Sequence, residues 1–169
     1  MPLGFLCAAL FILFARPRPT TLLIGAGVSI VGLLIRAWAA GHIRKNSALA
    51  TSGPYAHMRN PLYFGSMFLA IGFAAATHSW MALALLGTYF AVFYAAVIRR
   101  EEKELRTHYG KPFDDYAERV PLLWPRFRAY GNSGERFSWA SYSRNREYEA
   151  ALGFVGGIVL LWLMMKWRG

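Results

Sequence analysis

The sequence predicts an all-α fold: a polytopic membrane helical bundle of about five transmembrane segments, with a pocket at its cytoplasmic end. Three observations carry that expectation. The 169-residue chain is 56% hydrophobic and 17% charged, an apolar excess over the ordinary soluble domain. Its apolar residues gather into five runs, 3–15, 20–40, 61–77, 79–98 and 150–167. All nine Asp and Glu fall between Glu101 and Glu149, which makes 99–149 the main aqueous segment of a single domain covering 1–169.

A membrane-spanning helix needs about 20 apolar residues. By that measure runs 20–40 and 79–98 cross comfortably, 61–77 and 150–167 are near the limit, and 3–15 is short enough to cross a thinned bilayer or only to dip in. The first run has no basic residue before it and is followed by Arg16 and Arg18, so it reads as mature structure rather than a cleaved signal peptide. Only His78 and its neighbours separate the third run from the fourth, which predicts a tight helical hairpin. Gly25, Ser29 and Gly32 on the second run, Gly65 and Gly72 on the third, and Gly153 and Gly157 on the fifth are spaced to let helices approach closely. Packing within the monomer is the favoured reading of them, with a homodimer contact as the alternative. Arg36 lies near a helix end, where it can snorkel to water. If all five runs cross, 99–149 shares a side with Arg44, Lys45 and Arg59, while Arg16, Arg18, Lys166 and Arg168 lie opposite. The positive-inside rule then places the N-terminus and the polar segments in the cytoplasm.

The formal charge of +10 invites a nucleic-acid reading, but the basic residues lie mainly beside apolar spans, where they meet anionic headgroups. Membrane lipids are thus the expected partner and nucleic acid is not. Cys7 is the only cysteine, which excludes an intrachain disulfide and a cysteine metal cluster. His42, His57, His78 and His108 lack metal-ligand spacing, and no Ser/His/Asp set is apparent, so no bound metal is expected.

Chemistry concentrates in two places. In Ser52-Gly53-Pro54-Tyr55-Ala56-His57-Met58-Arg59-Asn60-Pro61-Leu62-Tyr63-Phe64-Gly65, Pro61 suits the first turn of a helix. The helix therefore begins with its positive end near Arg59, and the Gly53-Pro54 turn brings Tyr55, His57, Arg59 and Asn60 to a place suited to a carboxylate or phosphate. Gly65 lets a ligand or a neighbouring helix lie against the backbone. The second place continues the fourth run: Tyr94, Ile98, Glu102, Leu105 and Tyr109 follow helical spacing, with Glu101 and Glu102 beside the apolar stripe. Such acids can face an ammonium or ribose hydroxyls, or form ordinary i,i+4 pairs such as Glu102 with Arg106 and Arg100 with Glu104.

Downstream, Tyr109-Gly110-Lys111-Pro112 reads as a helix stop and a turn. A short amphipathic segment follows, with Phe113, Tyr116 and Val120 interleaved with acids and Arg119, and ends at Pro121 and Pro125 around an interfacial Trp124. The stretch 126–148 is a lid, a surface-lying helix or a connector.

Together Ser52-Gly53-Pro54-Tyr55, Arg59-Asn60-Pro61-Leu62-Tyr63, Gly65, Glu101-Glu102, Tyr109-Gly110, Tyr116 and Arg119-Val120-Pro121 resemble the isoprenylcysteine carboxyl methyltransferase and phospholipid methyltransferase family, over roughly Trp38 to Pro125. The resemblance implies an integral membrane enzyme that transfers a methyl group from S-adenosylmethionine to a lipid-like acceptor. It implies a cofactor site made by Gly53, Pro54, Tyr55, His57, Asn60, Pro61, Tyr63, Gly65, Glu101, Glu102 and Tyr109, with Arg59, Arg119 and Glu102 in catalysis and substrate binding. The family's usual Arg-His-Pro is here Arg59-Asn60-Pro61, and an Asn cannot titrate near neutral pH.

Methyl transfer from a sulfonium is an in-line displacement that needs alignment in a dry site. A carboxylate acceptor of the isoprenylcysteine type, already ionised, could be positioned by Arg59 or Arg119 without a general base, and is favoured. A phospholipid amine must lose a proton, for which Glu101 or Glu102 would be the base. Two further readings stand beside these. One is an NADPH-dependent membrane reductase, since sterol reductases look similar over the Gly-Pro-Tyr and Arg-x-Pro-x-Tyr region. The other is a non-enzymatic membrane scaffold.

Overall fold

A computed structural model describes residues 11–44, 49–131 and 135–168, and these form helices and connecting loops. Most of the first apolar run lies outside the described residues, with 11–14 helical. The first long helix, α1 (Pro19–Ala40), opens on a proline at its first turn, and the Thr21 hydroxyl accepts the Arg18 N–H at 3.2 Å. A single 3₁₀ turn, Gly53–Ala56, precedes α2 (Pro61–Thr77). His78, in the left-handed conformation with φ of 51°, ends α2, and Ser79 caps the next helix by accepting the Ala82 N–H at 3.3 Å. That is the tight hairpin the sequence predicts. Helix α3 (Trp80–Tyr109) runs 30 residues with a π-helical turn at Phe90–Tyr94. At about 1.5 Å per residue it exceeds the hydrocarbon layer by several turns, which carries its acidic end clear of lipid. Gly110, with φ of +59°, breaks the chain into α4 (Lys111–Arg119), and α5 (Trp139–Arg144) and α6 (Tyr148–Arg168) complete it.

The protein is an integral membrane helical bundle, but the expected number of spans is corrected. Among the described residues, three helices are long and apolar enough to cross: Pro19–Ala40, Trp80–Tyr109 and Tyr148–Trp167. Helix α2 has 17 residues, so it reaches only about 26 Å against a hydrocarbon thickness of about 30 Å.

Helices α1 and α2 pack antiparallel through their small residues. A Cβ added at Gly32 would lie 2.5 Å from the Gly65 carbonyl oxygen, and Gly72 sits directly against Ser29 and the Gly25 backbone. The stripe therefore serves contact within the monomer, where only glycine admits the opposite backbone. At one end of the pair the Arg16 N–H donates to the Thr77 carbonyl at 2.8 Å, and Ala15, Leu22, Ala76 and Leu161 form a buried cluster. At the other end Arg36 does not snorkel. Its guanidinium makes a two-pronged pair with Glu147, at 3.0 and 2.9 Å, and donates to Ser66, tying the start of α6 to α1 and α2. That same end carries a second buried cluster, Phe113, Tyr116 and Val120 of α4 and the residue after it, packed against Leu105, Tyr109 and Tyr130.

Candidate active site

The loop before α2 is held from two sides. Gly53 adopts φ of +56°, and a Cβ there would lie 2.6 Å from the His42 ring. Tyr55 is buried, and its carbonyl accepts the Tyr116 hydroxyl at 2.8 Å. Burial pushes both the Tyr55 and Tyr116 phenols up, so each stays a neutral hydroxyl across physiological pH. The Arg59 N–H donates to the Pro121 carbonyl at 2.9 Å, the Arg126 N–H to the His57 carbonyl at 3.0 Å and the Tyr130 N–H to the Ala56 carbonyl at 2.9 Å. The His57 ring Nδ1 lies 2.8 Å from the Arg126 carbonyl, and the Asn60 amide donates to the Leu122 carbonyl at 3.2 Å. Residues 121–130 thus form a clasp along 56–60.

Two polar contacts join this loop and α2 to the acidic end of α3. Arg59 Nη1 lies 3.1 Å from Glu102 Oε1, both side chains mostly buried, and the Tyr63 hydroxyl donates to Glu101 Oε2 at 2.7 Å. The Glu102–Arg106 pair expected as an alternative does not form, since Arg106 pairs with Asp114 at 2.7 Å; Arg100 with Glu104 does, at 2.9 Å on the exposed face. The Arg59–Glu102 pair is close but poorly aligned: Arg59 Nε and Glu102 Oε1 are both sealed from solvent with no hydrogen-bond partner. A buried polar atom left so is costly.

Arg59, Tyr63, Glu101 and Glu102 line a cavity of about 500 Å³, within the range of about 300–1,000 Å³ typical of small-molecule sites. Of the residues expected at the site, Tyr55, Arg59, Asn60, Tyr63, Glu101, Glu102 and Tyr109 line it. Gly53, Pro54, His57 and Pro61 shape the loop behind it, and Gly65 touches Arg36 and Gly32 of α1, so its close approach is to a helix. Arg119 is exposed at the end of α4, outside the lining. The lining also holds residues not singled out as site residues: Arg44, Glu104, Leu105, His108, Phe113 and Tyr116. The spacing of Leu105 before Tyr109, and of Phe113 before Tyr116, marks them as one apolar face and was their available signal. Two arginines and three glutamates among the lining residues sum to a formal charge of −1. Carboxylates for an ammonium and hydroxyls, arginines for a carboxylate, and aromatic faces for a planar base or a soft cation stand in one cavity.

Beside it, between α2 and α3, runs an apolar groove of about 510 Å³ walled by Met67, Ile71, Leu83, Leu86, Phe90 and Ile98. Tyr63 and Glu102 line both spaces, so the groove meets the polar cavity at the ion pair. Leu122 and Leu123 of the clasp border the groove at the same end. Among the described residues, no three His, Cys, Asp or Glu side chains gather to hold a metal ion.

Comparison with known proteins identifies the family. The family model for phospholipid methyltransferase matches residues 21–112. Among curated proteins, the chain is 38% identical over 126 residues to the cobalt-zinc-cadmium resistance protein CzcN of Cupriavidus metallidurans, covering 73% of this chain and 56% of that protein. It is 38% identical over 110 residues to the nickel-cobalt-cadmium resistance protein NccN of Alcaligenes xylosoxydans, covering 64% and 50%. To the protein-S-isoprenylcysteine O-methyltransferase of Schizosaccharomyces pombe it is 26% identical over 119 residues, covering 70% and 46%. The chain spans about half the length of these relatives. No solved structure matches. Since the family match covers more than half of the chain, running from α1 through Arg59, Glu101 and Glu102 into α4, the chain belongs to the phospholipid methyltransferase family.

Proposed function

We propose that the protein transfers a methyl group from S-adenosylmethionine to a lipid-like acceptor whose chain lies in the groove between α2 and α3. The observation that carries this reading is the shared lining: Tyr63 and Glu102 belong both to the polar cavity and to the apolar groove. When bound, S-adenosylmethionine supplies a methyl group on a sulfonium, an electrophile that needs no metal. Its carboxylate matches Arg59, its ammonium and ribose hydroxyls match Glu101 and Glu102, and its positive sulfonium matches a lining of formal charge −1 with aromatic walls. The Arg59 and Glu102 side chains on the cavity wall are the groups such a ligand would engage.

The chain's own work is then alignment and the exclusion of water. Tyr63 fixes Glu101, the clasp fixes Arg59 through its backbone N–H and Asn60 through its side-chain amide, and the buried face of α4 lines the cavity. Holding the reactants in line in a dry site lowers the barrier by several kcal/mol. A carboxylate acceptor needs no base, and with Arg59 on the cofactor's carboxylate its orientation falls to Arg119. An acceptor of isoprenylcysteine type fits that chemistry, and a phospholipid amine, with Glu101 or Glu102 taking its proton, is the alternative. Arg119, exposed two residues before the carbonyl that anchors Arg59, would turn toward the acceptor as it binds. The Asn60 amide is engaged by the clasp, which gives it a positioning role.

The test is transfer of label from methyl-labelled S-adenosylmethionine by purified protein in a membrane lipid extract. Label in an organic-soluble product supports the reading, and base-labile label identifies an ester. Turnover of NADPH with no label transferred would replace it with the reductase.

A further inference from the structure

The clasp carries a surface that its role in the cavity leaves unexplained. From Arg119 to Tyr130 the sequence is Arg-Val-Pro-Leu-Leu-Trp-Pro-Arg-Phe-Arg-Ala-Tyr, with three arginines and no acid. Its inner side bonds to 56–60, yet Phe127 is fully exposed and Trp124 is 72% exposed. Arg128 is exposed between them and the following turn, and the Arg126 guanidinium folds back onto the Arg119 carbonyl. The clasp lies level with Pro61, where α2 begins, and its Leu122 and Leu123 border the apolar groove. A large ring exposed at that depth is placed for the boundary between headgroups and acyl chains, and arginine beside it for anionic headgroups.

We propose that the clasp is a docking surface for the anionic headgroup layer of the bilayer, with Trp124 and Phe127 entering the interface and Arg128 pairing with lipid phosphate. Docking then restrains the walls of the cavity, because each backbone bond from the clasp ends on Ala56, His57 or Arg59. Anionic lipid becomes a regulator of the site through contacts that touch neither cavity nor groove. The docking is independent of the chemistry proposed for the site, and only its consequence for turnover rests on that reading.

The test uses the full chain in nanodiscs of phosphatidylcholine alone, or of phosphatidylcholine with a minor fraction of phosphatidylglycerol, and reads amide hydrogen exchange over 56–60 and 121–130. Phosphatidylglycerol is expected to slow exchange at the Arg59, Arg126 and Tyr130 amides by about tenfold, the effect of one to two arginines held near an anionic surface. Phe127→Ser and Arg128→Gln, both at exposed positions, should each remove most of that protection while leaving exchange in α1 and α2 unchanged. Equal exchange in the two lipids would overturn the proposal. So would protection that survives in both variants, which would put the anionic contact elsewhere, or protection reproduced by inorganic phosphate in phosphatidylcholine discs. Because the readout is exchange, a protein that docks but does not methylate remains distinguishable from one that does neither.

Discussion

Helices α1 and α2 touch backbone to backbone along their length, whereas α3 stands off from α2 and is joined to it at the site end by side chains: the polar contacts Tyr63–Glu101 and Arg59–Glu102 and the edge-on ring pair Tyr63–Tyr94. The difference lies in the residues at the seam. Gly25, Gly32, Gly65 and Gly72 let the first pair close, while along α3 the large side chains Leu83, Leu86, Phe90 and Tyr94 hold the helices apart and wall a groove. One helix pair is a scaffold, and the third helix is a wall whose position depends on polar contacts at its end.

The largest expected effect breaks the scaffold. Gly72→Leu would drive a side chain into Ser29 and the Gly25 backbone, and folded protein should be lost in thermal unfolding and detergent gel filtration. Next comes the wall: Glu102→Gln removes the charge facing Arg59, and S-adenosylhomocysteine affinity should fall by about tenfold or more, the effect of a lost charge-assisted hydrogen bond. Arg119→Ala should cut turnover by a comparable factor with cofactor affinity nearly unchanged, separating acceptor positioning from cofactor binding. Asn60→Ala, which frees the Leu122 carbonyl, should cost about 1 kcal/mol of stability and reduce turnover a few-fold. The smallest effect is expected of Gly87→Ala on α3. A Cβ there meets nothing within 4 Å, so the melting midpoint should stay the same or rise slightly.

Much of this was legible because membrane physics writes itself into runs of residues. The long helices, the hairpin at His78 and the continuation of the fourth run to Tyr109 follow from apolar length and helical period. The small-residue stripe gave the α1–α2 contact for the same reason. Partners far apart in sequence were not legible. Arg36 was read as snorkelling because Glu147 lies 111 positions away, and Glu102 had Arg106 as a local partner until the fold supplied Arg59. Asn60 showed the donors of its side chain but not the clasp carbonyl they meet. The described residues hold three helices long and apolar enough to cross against about five expected: run 61–77 forms a 17-residue helix, at the limit its length marks, and most of run 3–15 lies outside the described residues.

The account depends on a cavity in which Arg59 and Glu102 await a ligand carrying both charges, and calorimetric titration of the purified protein with S-adenosylhomocysteine and, separately, NADPH addresses it directly. Binding of S-adenosylhomocysteine alone, weakened in Glu102→Gln, is the predicted result. Binding of NADPH alone, of neither ligand, or of S-adenosylhomocysteine undiminished by the substitution would contradict it.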